Sequence, residues 1–337
     1  MKRVGHLFES VVSFENILTA AKKAFRGKKS KASVASFFFH LEKEVIRLQE
    51  ELVAGTYRPR PYRIFEIREP KARQICSSDF RDRVVHHAIC NSIDPILERR
   101  LILDTYACRV GKGAHLAIKR AQFFANNQAY FLKCDISKYF QNIDHEILKS
   151  LLRRILKDEK LLNLIDIIID HVVPGNSSGK GIPIGNLTSQ HFANFYLGEL
   201  DHFLKEEVRL AGYVRYMDDF ICFADDKREL LTVLENIRIF LAKKLKLILK
   251  EKVTKVAPVH DGIPFLGFRV FPNLIRIQRP NLIRLRRKIK KREREFEKGL
   301  ITETVLSDSV RSMIAHIQHS NSHHVRRKEF ESSLSLA

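Results

Sequence analysis

The sequence predicts an α+β fold, and three observations carry that expectation. Helical 3–4 spacing of apolar residues fills much of the first hundred positions and returns in the second half. Between these stretches lie short alternating segments bounded by Pro, Gly and Asp, the pattern of antiparallel strands. Hydrophobic residues are 45% of 337, enough to build a sizeable core, and the length points to two or three subdomains.

Taken in order, Ser33 or a neighbour caps a helix whose apolar positions are Phe37, Leu41, Val45, Leu48 and Leu52, with Gly55 as its stop. In TYRPRPYRIFEIREPKARQI the prolines punctuate and Ile64, Glu66 and Arg68 alternate with Phe65 and Ile67. Short antiparallel strands are expected there, ending in the Lys71–Arg73 pair. Residues 79–101 return to a helical period. AYFLKCD (129–135) alternates again, Leu132 and Cys134 facing one way and Phe131, Lys133 and Asp135 the other, so Asp135 closes a strand.

A helix is predicted from His145 to about Leu156, and another over LLNLIDIIIDHVV. The loop PGNSSGKGIPIGN leads to a helical LTSQHFANFYLGELDHFLKEE, stopped by Gly212. YVRY and FICF then read as two strands around Met217-Asp218-Asp219, since Asp tolerates tight turns. From Asn273 to Lys298 there are 11 Lys/Arg against 3 Asp/Glu, with Leu282, Leu285, Ile289 and Phe296 near heptad spacing. That predicts an amphipathic helix with a basic outer face.

Lys and Arg number 60 against 39 Asp and Glu, a formal net charge of +21. This balance suits a polyanion, because cationic side chains release counterions condensed on phosphates. No apolar run reaches membrane-spanning length, and MKRVGHLFESVVSFEN lacks the unbroken apolar stretch of a signal peptide. The expectation is a soluble cytoplasmic protein. Cys76, Cys90, Cys108, Cys134 and Cys222 show neither CxxC spacing nor a His at finger-like distance. Small buried residues in a reducing compartment are expected, without a structural zinc site or disulfides.

Against this basic background, Asp218 and Asp219 stand adjacent in a turn and Asp135 ends another strand. If those strands are neighbours, the three carboxylates converge, and hard divalent cations would relieve their repulsion. Two Mg²⁺ ions, with Mn²⁺ as an alternative, suit in-line phosphoryl transfer. Lys71 and Arg73 fit a triphosphate, Arg by a bidentate fork and Lys as a point charge; a solvated basic turn is the plainer reading of the same pair.

These residues carry a resemblance. Over nearly its whole length the sequence resembles a reverse transcriptase, which implies a right-hand polymerase. YMDD (216–219) resembles the family's catalytic hairpin, and FLKCDISKYF (131–140) its first catalytic aspartate, with Phe140 as the aromatic gate that excludes a 2′-hydroxyl. The family resemblance that these residues carry implies that Asp135 and Asp218 would bridge the ions, with Asp219 a weaker or outer ligand and the Ile136 carbonyl an extra one. PKARQI is similar to the fingers motif that meets the nucleotide, and ACRVGKGAH to another fingers element. LKLILKEKVTK resembles the motif whose lysine lies near the pyrophosphate, a place that Lys250 and Lys252 both fit. IPFLGF, with Phe265, Leu266 and Gly267, resembles the primer grip, which Tyr216 and Met217 would complete at the primer end.

In IPIGNLTSQ, Ile184 and Gln190 flank Gly185 and Ser189 where many family members carry Gln and Pro. That variant is similar to the reverse transcriptases of diversity-generating retroelements, which copy a template-repeat RNA and misincorporate opposite its adenines. Replacing an amide by an aliphatic chain removes hydrogen bonds that test nucleotide placement, so Ile184 and Gln190 would loosen the check at template adenines; alternatively, both pack a fingers–palm junction.

The resemblance implies fingers over 1–130 and 146–190, a palm over 131–145 and 191–271, and a basic helical thumb over 272–337. Arg284, Arg287, Lys288 and Lys291 of the thumb would follow the RNA–DNA hybrid. The implied partners are dNTPs, template-repeat RNA, the hybrid and a small basic oligomeric accessory protein, in a bacterial, archaeal or phage-encoded system. Another bacterial reverse transcriptase (group II intron-like, retron or phage-defence type) is the rival. About 65 residues after the primer grip leave room for a thumb but not for maturase, endonuclease or RNase H regions, and IGNLTSQ argues against a retron. A non-catalytic RNA-binding protein would suit the charge but leaves the three aspartates unexplained.

Overall fold

A computed structural model describes residues 3–27, 32–68, 73–175 and 177–327. Helices α1 (Phe8–Val12), α2 (Phe14–Phe25), α3 (Ala32–Phe39) and α4 (Leu41–Val53) precede strands β1 (Arg63–Ile67) and β2 (Arg73–Ser77). Then come α5 (Phe80–Glu98), α6 (Ala114–Asn127), β3 (Tyr130–Asp135), α7 (Tyr139–Asn142), α8 (His145–Ile155), α9 (Glu159–Ile169), α10 (Leu187–Tyr196) and α11 (Gly198–His202). The remainder is β4 (Gly212–Tyr216), β5 (Asp219–Ala224), α12 (Lys227–Phe240), β6 (Lys255–Pro258), β7 (Ile263–Phe265), β8 (Phe268–Val270), β9 (Ile275–Ile277), α13 (Arg279–Glu297), α14 (Glu303–Ile317) and α15 (His323–Arg326).

The chain divides into two interleaved units. The first comprises 1–103, 136–208 and 236–250; the second comprises 104–135, 209–235 and 251–337. In the first, α5 is the central helix. Asp79 caps it by accepting from the Arg81 amide, and its Val84, Val85, Ala88, Ile89 and Ile93 are buried. Ile17, Ala20, Ala21 and Ala24 of α2 are buried too, and small alanines let α2 lie close to α5. Burying a side chain such as Ile89 contributes about 1.5–3 kcal/mol. A polar cluster sits beside this core: Tyr57 donates to Asp82 Oδ1 at 2.9 Å and the Arg60 amide to Oδ2 at 2.9 Å.

The second unit is built on an antiparallel sheet of order β4-β5-β3-β6 and a smaller antiparallel sheet β7-β8-β9. Phe131, Val214, Ile221 and Phe223 from the first sheet share one core with Phe265, Phe268 and Val270 from the second and with Phe124 of α6. Leu285 and Ile289 of α13 bury with Ile317 of α14 in a smaller cluster.

The mixed helix-and-sheet class agrees with the sequence, while several boundaries differ. His40, at φ −112° and ψ 32°, breaks the expected single helix into α3 and α4, and Ser33 lies inside α3 rather than capping it. Arg73 begins β2 instead of ending a strand, opposite Ile67 on β1. The segment after α10 is not one helix to Gly212, since it passes through α11 and a wider π-type turn at Phe203–Glu207. Gly212 is a strand residue. A Cβ there would lie 2.7 Å from the Phe223 Cβ, so glycine serves sheet packing rather than helix termination. The predicted basic helix is preceded by β9, and Phe296 leaves the apolar seam at 42% exposed. Cys108 is exposed, unlike the other four cysteines. No described helix is long and apolar enough to cross a membrane.

Candidate active site

Alternation along β3 puts Asp135 at its C-terminal end, and strand pairing does the rest. Asp135 is the register partner of Asp219 across β3–β5, and Tyr216 is the partner of Asp219 across β4–β5. Directly opposed residues project from the same face with Cβ atoms about 4.5–5.5 Å apart. The loop joining β4 to β5 is therefore two residues, Met217 and Asp218, with Asp219 already in the strand. All three aspartates are half-buried at this one end of the sheet.

Two basic side chains that the motif reading did not single out hold this turn. Lys133, two residues before Asp135 on the same face, pairs its ammonium with Asp219 and lies 5.4 Å from the Phe265 ring centroid. Arg215 is fully buried, and its guanidinium donates to the Met217 carbonyl at 3.1 Å. The backbone of Arg215 is anchored as well, its amide to Asp104 O at 2.9 Å and its carbonyl to the Tyr106 amide at 2.9 Å. That bracing supports Met217 at φ +59°, a left-handed conformation that costs a non-glycine residue roughly 1–2 kcal/mol. Period-two spacing carried a signal for Lys133; for Arg215 the signal was a lone charge inside an apolar strand.

Burial pushes the Tyr216 hydroxyl above the ordinary phenol range, with the Cys108 thiol a smaller cause. Phe265 is buried at the end of β7, and Leu266 and Gly267 form the two-residue turn into β8, at φ +47° and +88°. Asn281 of α13 donates to Gly267 O at 2.7 Å.

The first unit gathers a different set. The Cys76 amide of β2 donates to Ile184 O at 3.1 Å, and a Cβ on Gly185 would meet Cys76 O at 2.8 Å, with φ at +130°. Glycine at 185 is what lets this loop run against β2. Arg73 is exposed at the start of the same strand. The Ile182 amide donates to Phe140 O at 2.8 Å, tying half-buried Phe140 of α7 to the loop. Ile184 is half-buried, Ser189 buried and Gln190 exposed, so packing within a core does not describe Gln190.

Beside Ser189, Thr188 Oγ1 lies 2.8 Å from His86 Nδ1. Burial, with His87, His171 and Arg83 adding smaller repulsions, drives the His86 imidazole down to about 3, so it is neutral at physiological pH.

Ile136 is buried and bridged to Leu249, with the Ser137 amide donating to Ile248 O at 2.9 Å. Lys250 thus follows a segment paired to the residues after Asp135, whereas Lys252 sits on an exposed turn. Lys71 lies outside the described residues. On α13, Arg287, Lys288 and Lys291 are exposed on one face, and Arg284 is half-buried and bonded to Asn281 Oδ1.

Residues 67–270 match the family model for reverse transcriptase (RNA-dependent DNA polymerase). The chain belongs to the reverse transcriptase family. Its α+β architecture is consistent with the right-hand fold of that family, and the family is one of RNA-directed DNA polymerases. The chain is 27% identical to protein YkfC of Escherichia coli, covering 66% of this chain and 70% of that protein. It is 25% identical to the group II intron-encoded protein LtrA of Lactococcus lactis, covering 81% of this chain and 56% of LtrA. It thus spans little more than half of LtrA. A telomerase structure from Candida albicans aligns with TM-score 0.48 and 11% identity, over 69% of this chain and 51% of that one.

The donor chemistry of the reverse transcriptase turn fits hard divalent cations, since three oxygen-bearing side chains share one strand end. The Lys133 ammonium is paired with Asp219, one of these three carboxylates.

Proposed function

We propose that the chain is the reverse transcriptase of a diversity-generating retroelement, copying template-repeat RNA into adenine-mutagenised cDNA in the cytoplasm. The observation that supports polymerisation is the register pairing of Asp135 with Asp219 next to the Met217–Asp218 turn. Asp135 and Asp218 would hold two Mg²⁺ ions, with Asp219 an outer ligand shared with Lys133. When bound, such ions supply activation of the primer 3′-hydroxyl and charge stabilisation of the pyrophosphate. The chain's own part is positional. Arg215 fixes the turn, Tyr216 and Met217 support the primer end, and the Phe265–Gly267 turn grips the primer strand.

Arg73 and Lys71 would meet the triphosphate, Phe140 would exclude the 2′-hydroxyl, and Lys250 is favoured over Lys252 near the pyrophosphate because its segment pairs with Ile136–Ser137. In this reading the fingers, palm and thumb keep the boundaries given above, and α13 tracks the hybrid backbone through Arg284, Arg287, Lys288 and Lys291. The retroelement subtype rests on IPIGNLTSQ, in which Ile184 brings an aliphatic chain to the loop against β2 and Gln190 stays exposed. A small basic accessory protein is part of that subtype and would need RNA or a local acidic surface to approach a chain of +21.

A group II intron-like enzyme is the second reading, favoured by the LtrA similarity over 81% of the chain. Copying a defined RNA and sequencing the cDNA separates the two. Errors concentrated at template adenines support the retroelement enzyme, and a uniform spectrum supports the intron-like one. Incorporation equal to that of an Asp218→Ala/Asp219→Ala variant would remove the polymerase reading altogether.

A further inference from the structure

Helices α5 and α10 bring together three donor groups, two of them one helical turn apart and the third distant in sequence. Cys90 and Asp94 stand four residues apart on one face of α5, and His191 follows Gln190 on α10. A thiol sulfur, a carboxylate oxygen and an imidazole nitrogen from these residues all lie within 4.8 Å of one another. Asp94 Oδ1 faces His191 Nδ1 at 3.1 Å, yet this buried oxygen has no hydrogen-bond partner. A buried acceptor left in that state is costly and calls for an explanation. A thiol, a carboxylate and an imidazole gathered this closely form a donor set that a metal ion can use.

We propose that Cys90, Asp94 and His191 bind a zinc ion that staples α10 to α5. Thiolate and imidazole select a borderline-soft ion over Mg²⁺, and three protein ligands plus water complete a tetrahedron. Bonds of about 2.0–2.3 Å place tetrahedral ligand atoms roughly 3.3–3.7 Å apart; Asp94 Oδ1 and His191 Nδ1 are already this close, and all three donors lie within 4.8 Å of one another. Cys90 is buried, while the Asp94 side chain is 38% exposed and opens a path for the ion and its water. Thiolate and carboxylate together supply two negative charges, which balance the two positive charges of the ion, while the nearby Lys23 ammonium is bonded to Asn91 Oδ1. The staple lies one residue from Gln190 and two from Ser189, so it would fix the helix start that carries them. It is separate from the carboxylates of the β4–β5 turn, which belong to the other unit.

The test uses the full chain, stripped with a chelator and titrated with Co²⁺ in excess Mg²⁺. The expected result is one equivalent bound, with a thiolate-to-cobalt charge-transfer band and strong tetrahedral visible bands, both bleached by Zn²⁺. Cys90→Ser should abolish the charge-transfer band, His191→Gln should weaken binding, and Asp218→Ala/Asp219→Ala should leave the spectrum unchanged. Because the wild-type spectrum is decisive by itself, a variant that fails to fold does not rescue the idea. Absence of the charge-transfer band in the folded wild-type chain, or its loss in the Asp218/Asp219 variant instead, overturns the proposal. Neither readout depends on polymerase activity.

Discussion

Replacing Lys133 by Met removes one positive charge from the carboxylate cluster while keeping most of the side-chain volume over Phe265. In the absence of metal the loss should destabilise the fold. The side chains of Lys133 and Asp219 are 11% and 24% exposed, between the surface case of about 0–1 kcal/mol and the buried case of about 3–5 kcal/mol, so about 1–3 kcal/mol is expected. Metal binding should move the other way. Taking a divalent ion roughly 6 Å from the ammonium and an effective dielectric of about 40–80, the repulsion removed is about 1.4–2.8 kcal/mol. This corresponds to about 10- to 100-fold tighter binding, less at high salt. Mn²⁺ titration followed by electron paramagnetic resonance on nucleic-acid-free protein measures it, alongside urea unfolding with and without Mn²⁺. Lys133→Arg should behave as wild type. A folded Lys133→Met variant with unchanged or weaker Mn²⁺ affinity would refute the idea that Lys133 competes with cations for Asp219.

Three further outcomes follow from the geometry. His86 is held near 3 when folded but takes up a proton near its ordinary 6.5 when unfolded, so the unfolded chain binds more protons below that pH. Stability should therefore fall as pH drops from about 6 toward 3, by up to about 1.4 kcal/mol per unit from this group; His86→Gln should flatten the acid limb in denaturant titrations, and an unaltered slope would assign the limb to other groups. Gly185→Ala must place a Cβ against Cys76 O at φ +130°, and a loss of about 1–3 kcal/mol in thermal unfolding is expected, with an unchanged midpoint counting against the close approach. The triple substitution Arg287→Ala/Lys288→Ala/Lys291→Ala should make the salt dependence of hybrid binding shallower by about 2–3 in the log–log slope, which fluorescence anisotropy at several salt concentrations reads; a slope equal to wild type would take α13 out of the interface.

What the sequence revealed was mostly local. Alternation in FLKCD was enough to place Asp135 at a strand end, and Asp-Asp between two apolar quartets was enough to place a hairpin. The same alternation put Lys133 on the Asp135 face, but its pairing with Asp219 depends on a register between residues 86 apart. The close approach of Ile184–Gly185 to Cys76 joins positions more than a hundred residues apart and leaves no periodic trace. His40 breaks a helix with neither Pro nor Gly to announce it, so the 3–4 pattern ran straight through. Gly212 misled for the opposite reason. Glycine signals a helix end by habit, whereas here it answers to the Phe223 and Phe124 side chains packed against it.

The interleaving of the two units has a consequence for biosynthesis. Residues 1–103 belong with 236–250, so the ribosome must add 147 residues (250 − 103) after Leu103 before the first unit can be completed. At roughly 5–20 residues per second that is a wait of about 7–30 s. During that time the apolar faces of α2 and α5 emerge ahead of the α10 segment that packs on α5. A nascent chain in this state is a natural client for chaperones that shield apolar helices, and the yield of active protein should track their supply.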